Sequence, residues 1–230
     1  MRLLILSLMF FSSHLMADAI GLRGHAGFWM GEIKGTLGGL TTELDKTPLE
    51  QKNSHPYLTL YLEHPLPLLP NLRAHYHDLK TSQQIHTGTP GAASIAVDLS
   101  HADITAYYEL LDSVVSLDAG LSVRQYMGEI DFTSVAQTKS WHYDAVLPMA
   151  YLLFEVHFPL SGWSLGAEGH FTEFDNYQVL DSSIRLRYLL DAVVKVGLDA
   201  GYREMSIDID KHAGLDLTTR GPFAALAVYF

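Results

Sequence analysis

The sequence predicts an all-β fold: a closed antiparallel transmembrane β-barrel of ten strands, with eight strands as the alternative count. Three observations support this fold class. An alternation with a period of two runs through almost the whole chain after Asp18. One face of each alternating segment is apolar and free of charge, whereas the other carries ionic side chains of both signs. The links between segments are short and long in turn, as an even-stranded barrel requires.

The composition narrows the classes of function. The chain has 230 residues, a size that suits one barrel domain. Its formal net charge of −11 argues against nucleic acid as a partner. With 48% hydrophobic and only 18% charged residues, the chain is too apolar to be disordered. It has no cysteine, so neither a disulfide nor a thiolate metal site is available.

Residues 1–17 are predicted to be a secretory signal peptide, and 18–230 the barrel. Arg2 precedes a short apolar run that is followed by small and polar residues. Cleavage after Ala17 is favoured, although Ala19 fits the small-x-small rule better. A retained anchor would need about 18 apolar residues, and this run is much shorter.

Each predicted strand is centred on a series of apolar residues at every second position. The ten series are Ile20–Met30, Leu58–Leu62, Leu72–Tyr76, Ala102–Leu110, Val115–Val123, Ala150–Phe158, Trp163–Phe171, Leu180–Tyr188, Val194–Tyr202 and Pro222–Phe230. A soluble β-sandwich also alternates, but its charged face points outward and its inward face is rich in large aliphatics. Here the charged face also holds several glycines, as a crowded lumen requires, so the apolar face is predicted to meet lipid. Because hydrocarbon cannot hydrogen-bond a free strand edge, the first strand must pair with the last.

The links predict the orientation. Short links at 64–71, 111–113, 159–162 and 189–192 are interpreted as periplasmic turns, and both termini are placed on that side. Longer polar links at 31–56, 79–100, 127–144 and 204–221, with a brief one at 172–178, are interpreted as outer loops. Aromatic residues predict two girdles, one of Tyr108, Phe158, Trp163, Tyr188 and Phe230 and one of Phe28, Tyr76, Phe171 and Tyr202.

Several local sequences carry a family resemblance. The most distinctive is the proline-rich run Leu62–Asn71, which reads LEHPLPLLPN. Further matching stretches are Asp98–His101, Tyr107–Asp112, Ala200–Arg203 and Gly221–Ala224. Together they make the chain similar to a family of small proteobacterial outer-membrane β-barrel proteins, over nearly the whole mature length.

The resemblance implies location and fold, and no enzymatic activity or site residues. It places the protein in the outer membrane of a Gram-negative bacterium. The partners it implies are outer-membrane lipid, lipopolysaccharide, and the assembly machinery, which would read the last strand ending in Phe230. No nucleic-acid partner is expected, and the barrel is expected to be a monomer.

The predicted lumen carries charges of both signs. In a small barrel such groups pair across the lumen and fill it, because an unpaired charge there is costly. The favoured function is therefore a non-enzymatic envelope or surface-interaction protein with a polar, plugged lumen. A narrow porin-like channel for small solutes is the alternative, and a hydrolase at the barrel rim is the third.

Three groups of residues are candidates for a chemical site. His75, His77 and His101, with Asp103, point inward and could suit a borderline metal, but hydrogen-bonded lumen histidines are the favoured interpretation. Ser164, Glu168 and His170 lie along one strand, about 20 Å from end to end at about 3.3 Å per residue, too far apart for proton transfer. The acids Asp208, Asp210 and Asp216 do not have EF-hand spacing. We therefore expect no catalytic residue, cofactor or metal site.

Overall fold

The computed structural model describes residues 20–37, 47–86, 92–133, 138–190, 195–209 and 215–230. The predicted signal peptide lies outside this part of the chain. Twelve strand segments are present. They are β1 Gly21–Leu37, β2 Thr47–Glu63, β3 Asn71–His77, β4 Lys80–His86, β5 Ala92–Asp98, β6 His101–Asp112, β7 Val115–Thr133, β8 Thr138–His157, β9 Trp163–Phe174, β10 Tyr177–Leu190, β11 Lys195–Ile209 and β12 Leu215–Tyr229. Among the described residues, no helix is long and apolar enough to span a membrane.

The sheet closes on itself, which confirms the predicted barrel. Its neighbours follow the order β1–β2–β3–β6–β7–β8–β9–β10–β11–β12, and β12 pairs antiparallel with β1. At this seam the backbone N–H of Phe230 donates to the carbonyl of Leu22 at 2.9 Å. The closed ring has ten strands, so the alternative count of eight is wrong.

Two strands of the ring are interrupted, which is why twelve segments build ten strands. β3 and β4 are separated at Asp78–Leu79, and β5 and β6 at Leu99–Ser100. Hydrogen bonds join the residues at the two interruptions. The N–H of Leu99 donates to the carbonyl of Leu79 at 2.8 Å, and the N–H of Leu79 donates to Oγ of Ser100 at 3.1 Å. The backbone groups released by the breaks are thus satisfied.

The predicted face assignment is confirmed over the middle of the barrel. Apolar side chains at alternate positions point outward and form a continuous band, here termed the belt. A segment such as Leu180–Leu190 has the length of about 9–11 residues that a tilted strand needs to cross a bilayer. The belt includes Leu22, Phe28, Leu58, Leu60, Leu72, Tyr76, Ile104, Leu121, Val123, Val146, Leu152, Phe154, Leu165, Phe171, Leu180, Ile184, Leu186, Leu198, Tyr202 and Leu226.

The predicted outer loops were wrong in extent. The ranges 31–56, 79–100, 127–144 and 204–221 consist largely of strand, because the hairpins β1–β2, β4–β5, β7–β8 and β11–β12 continue well past the belt. We term this the long-hairpin end, and the opposite end, with the links at 64–70, 113–114 and 158–162, the short-turn end. Side chains keep alternating between the two faces without a shift at the belt boundary. Beyond the boundary, however, the outward face becomes polar and the inward face becomes apolar.

Strand β11 shows the exchange clearly. Within the belt, Leu198 and Tyr202 point outward while Asp199 is buried inside. Beyond it, Glu204, Ser206 and Asp208 occupy the outward positions, and Met205, Ile207 and Ile209 are buried. The cause is the surrounding solvent: a face exposed to lipid must be apolar, whereas a face exposed to water is polar and leaves apolar groups to fill the interior.

The long-hairpin end therefore has its own hydrophobic core. We term this core the apolar cap. It consists of Trp29, Ile33, Leu79, Ala93, Ile95, Val97, Leu99, Tyr126, Ile130, Phe132, Ala145, Leu147, Met149, Val179, Met205, Ile207, Ile209, Leu215, Leu217 and Phe223. The Trp29 indole N–H donates to the carbonyl of Gly221 at 3.0 Å, so its polar group is satisfied inside the cap.

Candidate functional site in the lumen

The belt encloses a layer of paired charges, here termed the ionic layer, which lies on the short-turn side of the apolar cap. Arg124 is its most buried cation, with no exposed surface. Its guanidinium holds both carboxylate oxygens of Asp103 at 2.8 Å and one oxygen of Asp181 at 2.8 Å. Arg203 holds the same Asp181 with contacts of 2.8 and 2.6 Å. These bidentate geometries are the strongest that arginine and carboxylate form.

Further pairs extend the ionic layer toward the short-turn end. Arg73 donates to Glu168 at 2.8 Å, and Arg185 bridges Glu168 at 3.4 Å to Glu155 at 2.5 Å. In addition, Arg187 holds Asp199 at 2.6 and 2.8 Å, His25 lies 3.2 Å from Asp199, and Arg23 pairs with Glu63. In the described residues, charged side chains of opposite sign therefore pair inside the lumen, as the sequence predicts.

Two cavities of different size lie inside the part of the barrel that the structure describes. A cavity of about 60 Å³ lies within the ionic layer and touches His75, Asp103 and Arg203. A wider cavity of about 620 Å³ forms the mouth at the short-turn end, lined by Arg23, Glu109 and other polar groups. Below the ionic layer, the backbone of Ala106 and Tyr107 lies close to Gly120, where an added Cβ would lie only 2.7 Å from the Tyr107 Cα. Gly120 is one of the inward glycines expected of a crowded lumen.

Three histidines meet where the ionic layer borders the apolar cap. His75, His77 and His101 each offer a ring nitrogen, and these nitrogens all lie within 4.8 Å of one another. The backbone register explains the meeting, since His77 is the direct cross-strand partner of His101 and His75 is the partner of Asp103. All three are buried, as the sequence predicted, but their convergence depends on this register, which the sequence did not supply.

The hydrolase alternative gains no support from the residues considered for it. Ser164 does not reach His170; its hydroxyl donates to Glu155 at 2.7 Å. A closer pair that the sequence pattern does not indicate lies at the mouth, where Ser116 is 3.0 Å from Nε2 of His157. The nearest carboxylate of that pair, Glu155, is 3.9 Å from the imidazole and is already held by Arg185, so the pair lacks an orienting acid at hydrogen-bond distance.

Charged groups on the outer surface of the long-hairpin end form solvated pairs. The ammonium of Lys34 lies 3.2 Å from Glu50 and 3.3 Å from Glu32, and hydrogen bonding to these acids raises the pKa of Lys34. Lys80 lies 3.5 Å from Asp98, and the charges of Asp98 and Asp78 raise the pKa of Lys80. Pairs of this kind contribute little stability. Asp208 and Asp216 face each other across β11 and β12, whereas Asp210 lies outside the described residues.

No protein-family model and no curated protein sequence matches the chain. Among solved structures, it resembles the attachment invasion locus protein Ail of Yersinia pestis, with 12% identity, 93% of this chain and 100% of that chain covered, and a TM-score of 0.43. It also resembles the translocator domain of the autotransporter NalP from Neisseria meningitidis, with 14% identity, coverages of 97% and 94%, and a TM-score of 0.44. A third is the Pseudomonas putida toluene transporter TodX, with 10% identity, coverages of 92% and 90%, and a TM-score of 0.33.

These similarities are too distant to transfer a residue or a role. The class of protein follows from the chain's own geometry: a closed antiparallel sheet of ten strands, an apolar belt facing outward, and ionic side chains enclosed. Strands can cross a bilayer only in a closed barrel, and even-stranded single-chain barrels of this kind belong to the bacterial outer membrane. The protein is an outer-membrane β-barrel.

Proposed function

We propose that the protein is a non-enzymatic envelope protein whose lumen is closed and whose long-hairpin end contacts the medium. One observation carries this proposal: the apolar cap fills the barrel above the ionic layer with fully buried side chains such as Trp29, Ile95 and Leu147. A water-filled pore needs a continuous polar path, and a packed apolar core interrupts it. The mouth at the short-turn end is then a dead-end cavity.

The polar exterior of the long hairpins supports the proposed orientation. Outer-membrane barrels have short turns on the periplasmic side and longer connections outside. Lipopolysaccharide is a proposed partner because Lys52 and Arg220 are exposed just beyond the belt, where they border a groove shared with Met30 and Tyr202. Glu32 also lines this groove and lies 3.5 Å from Lys52, so Arg220 is the stronger candidate contact. Cations at this height suit the phosphates of that lipid.

Conductance in planar bilayers tests the closed lumen. We expect the native barrel to give no steady single-channel steps, since ions cannot cross the apolar cap. Insertion is verified separately by flotation with liposomes and by heat-modifiable migration on a gel. Steady steps from the native barrel would instead establish the narrow-channel alternative. Ester hydrolysis that is abolished by Ser116→Ala would contradict the non-enzymatic part of the proposal.

We also propose that the assembly machinery reads the last strand through its terminal aromatic residue. Phe230 is exposed on the outward face and extends the β1–β12 seam by its backbone bonds to Leu22. We expect Phe230→Ala to lower the folded fraction in the outer membrane several-fold, while refolding into detergent is unchanged. The matched control is Phe158→Ala, another outward aromatic residue at the same end. Equal folded fractions for the two variants in cells would contradict the proposal.

A further inference from the structure

We infer that His75, His77 and His101 form a binding site for one borderline transition-metal ion such as Zn²⁺. This site goes beyond the proposed closed lumen and does not depend on it. The inference rests on the convergence of the three rings, on the hydrogen bonds that their nitrogens make or lack, and on the surroundings of the cluster.

The geometry needs only a small adjustment. The ring centroids are separated by 5.9 Å for His75–His77, 6.1 Å for His75–His101 and 5.4 Å for His77–His101. Tetrahedral zinc with bonds of about 2.1 Å holds its nitrogen ligands about 3.4 Å apart. The nitrogens here lie within 4.8 Å of one another, so side-chain rotation of each ring toward a shared centre completes the triangle.

The hydrogen bonds leave ligand nitrogens free. Nε2 of each of the three histidines is buried and has no hydrogen-bond partner among the described residues. Nδ1 of His101 lies 2.9 Å from the carbonyl of Leu99, which fixes the proton on Nδ1 and leaves a lone pair on Nε2. Nδ1 of His75 is 2.8 Å from the Thr59 hydroxyl. This is the outer-shell arrangement that orients metal-binding imidazoles.

His77 differs from the other two histidines. Its Nδ1 accepts a hydrogen bond from Arg203 at 3.2 Å, so coordination through Nε2 requires Nδ1 to take up the proton and Arg203 to withdraw. Arg203 keeps its two bonds to Asp181 in that event, so its own charge stays paired. Metal binding therefore breaks one hydrogen bond, between Arg203 and His77. In return it gives a ligand bond to three buried Nε2 atoms that otherwise have no hydrogen-bond partner among the described residues.

The surroundings favour a borderline ion over Mg²⁺ or Ca²⁺. Three imidazoles supply nitrogen ligands, which suit zinc, copper, nickel and cobalt, whereas Mg²⁺ and Ca²⁺ prefer oxygen. The Trp29 ring lies 5.3 Å from His77 and the Tyr126 ring 5.3 Å from His101, so aromatic groups of the apolar cap exclude water on one side. The carboxylates of Asp103 and Asp181 offset the charges of Arg124 and Arg203 on the other side.

The test uses the whole barrel, without a polyhistidine tag, refolded in the presence of Zn²⁺ or Co²⁺ and then freed of excess metal. We expect one equivalent of metal per folded barrel and, for Co²⁺, the intense visible bands of tetrahedral coordination. His75→Gln, His77→Gln and His101→Gln are each expected to weaken Zn²⁺ binding at least tenfold. His170→Gln is the matched control, because His170 is also buried in the lumen with an unpartnered Nε2 but lies outside the cluster.

Heat-modifiable migration shows that each variant is folded. If a variant fails to fold, Cu²⁺ bound to the native barrel provides a second measurement, since its electron paramagnetic resonance spectrum counts the coordinating imidazole nitrogens. Three nitrogens are expected. The inference is overturned if the folded native barrel retains no stoichiometric metal, if Cu²⁺ shows fewer than three nitrogens, or if His170→Gln weakens binding as much as the cluster variants.

Discussion

Replacing Arg124 with leucine is expected to lower the free energy of unfolding by about 3–5 kcal/mol, the cost of breaking a buried ion pair by removing one partner. Arg124 is fully buried and supplies the bidentate contact to Asp103. Asp181 retains Arg203, whereas Asp103 is left without its main counter-ion. The measurement is reversible denaturant unfolding of the barrel in detergent micelles or lipid, followed by tryptophan fluorescence.

Two further variants show whether the loss comes from the uncompensated charge. Arg23→Leu breaks the Arg23–Glu63 pair at the mouth, where both side chains are partly exposed, and is expected to cost less than about 1 kcal/mol. Arg124→Leu combined with Asp103→Leu removes both charges and should recover much of the stability. If the double variant is as unstable as Arg124→Leu, volume rather than charge determines the effect.

The second large effect concerns the belt. Ile184→Arg is expected to destabilise the barrel by about 2–4 kcal/mol, the cost of a cation on the lipid face near the bilayer midplane. Ile184 points outward in the middle of β10 and is 61% exposed, so nothing inside the barrel can pair with the new charge. Unfolding in lipid bilayers, rather than in micelles, measures the penalty.

The matched control lies on the same face of the same strand. Gln178 is exposed beyond the belt, and its cross-strand partners are Asp208 and Glu173. Gln178→Arg places the identical side chain in water beside two acids, so we expect little change or a slight gain in stability. Equal losses for Ile184→Arg and Gln178→Arg would mean that the belt does not face hydrocarbon.

Much of the fold was predictable because alternation reports which face each residue occupies. The strand centred on Leu180–Tyr188, the closure of the first strand on the last, and the inward histidines are all confirmed. The strand ends were not predicted. Beyond Tyr202 the alternation continues through Ile207 and Ile209 with the same phase, but its apolar members change from the lipid face to the interior, so the sequence pattern predicts a loop where the structure has a strand.

The candidate site was predictable only in part. Side-chain direction follows from the sequence, so His75, His77 and Asp103 were expected inside the barrel. The sequence does not tell which strands face each other across the lumen. The contact between Arg124 on β7 and Asp181 on β10, for example, depends on the curvature of the barrel. The same limit applies to the His77–His101 pair, whose register continues that of the β4–β5 hairpin across the two strand interruptions.

The exchange of polarity along each strand fixes how deep the barrel sits. A slip of two residues between strands keeps every side chain on its own face, because the side-chain period is two. Here such a slip would draw outward groups such as Glu204 toward the acyl chains or lift Tyr202 into water. The boundary between Met30 and Glu32 acts in the same way on the opposite side of the seam. The exchange of polarity therefore fixes the position of the barrel along the membrane normal.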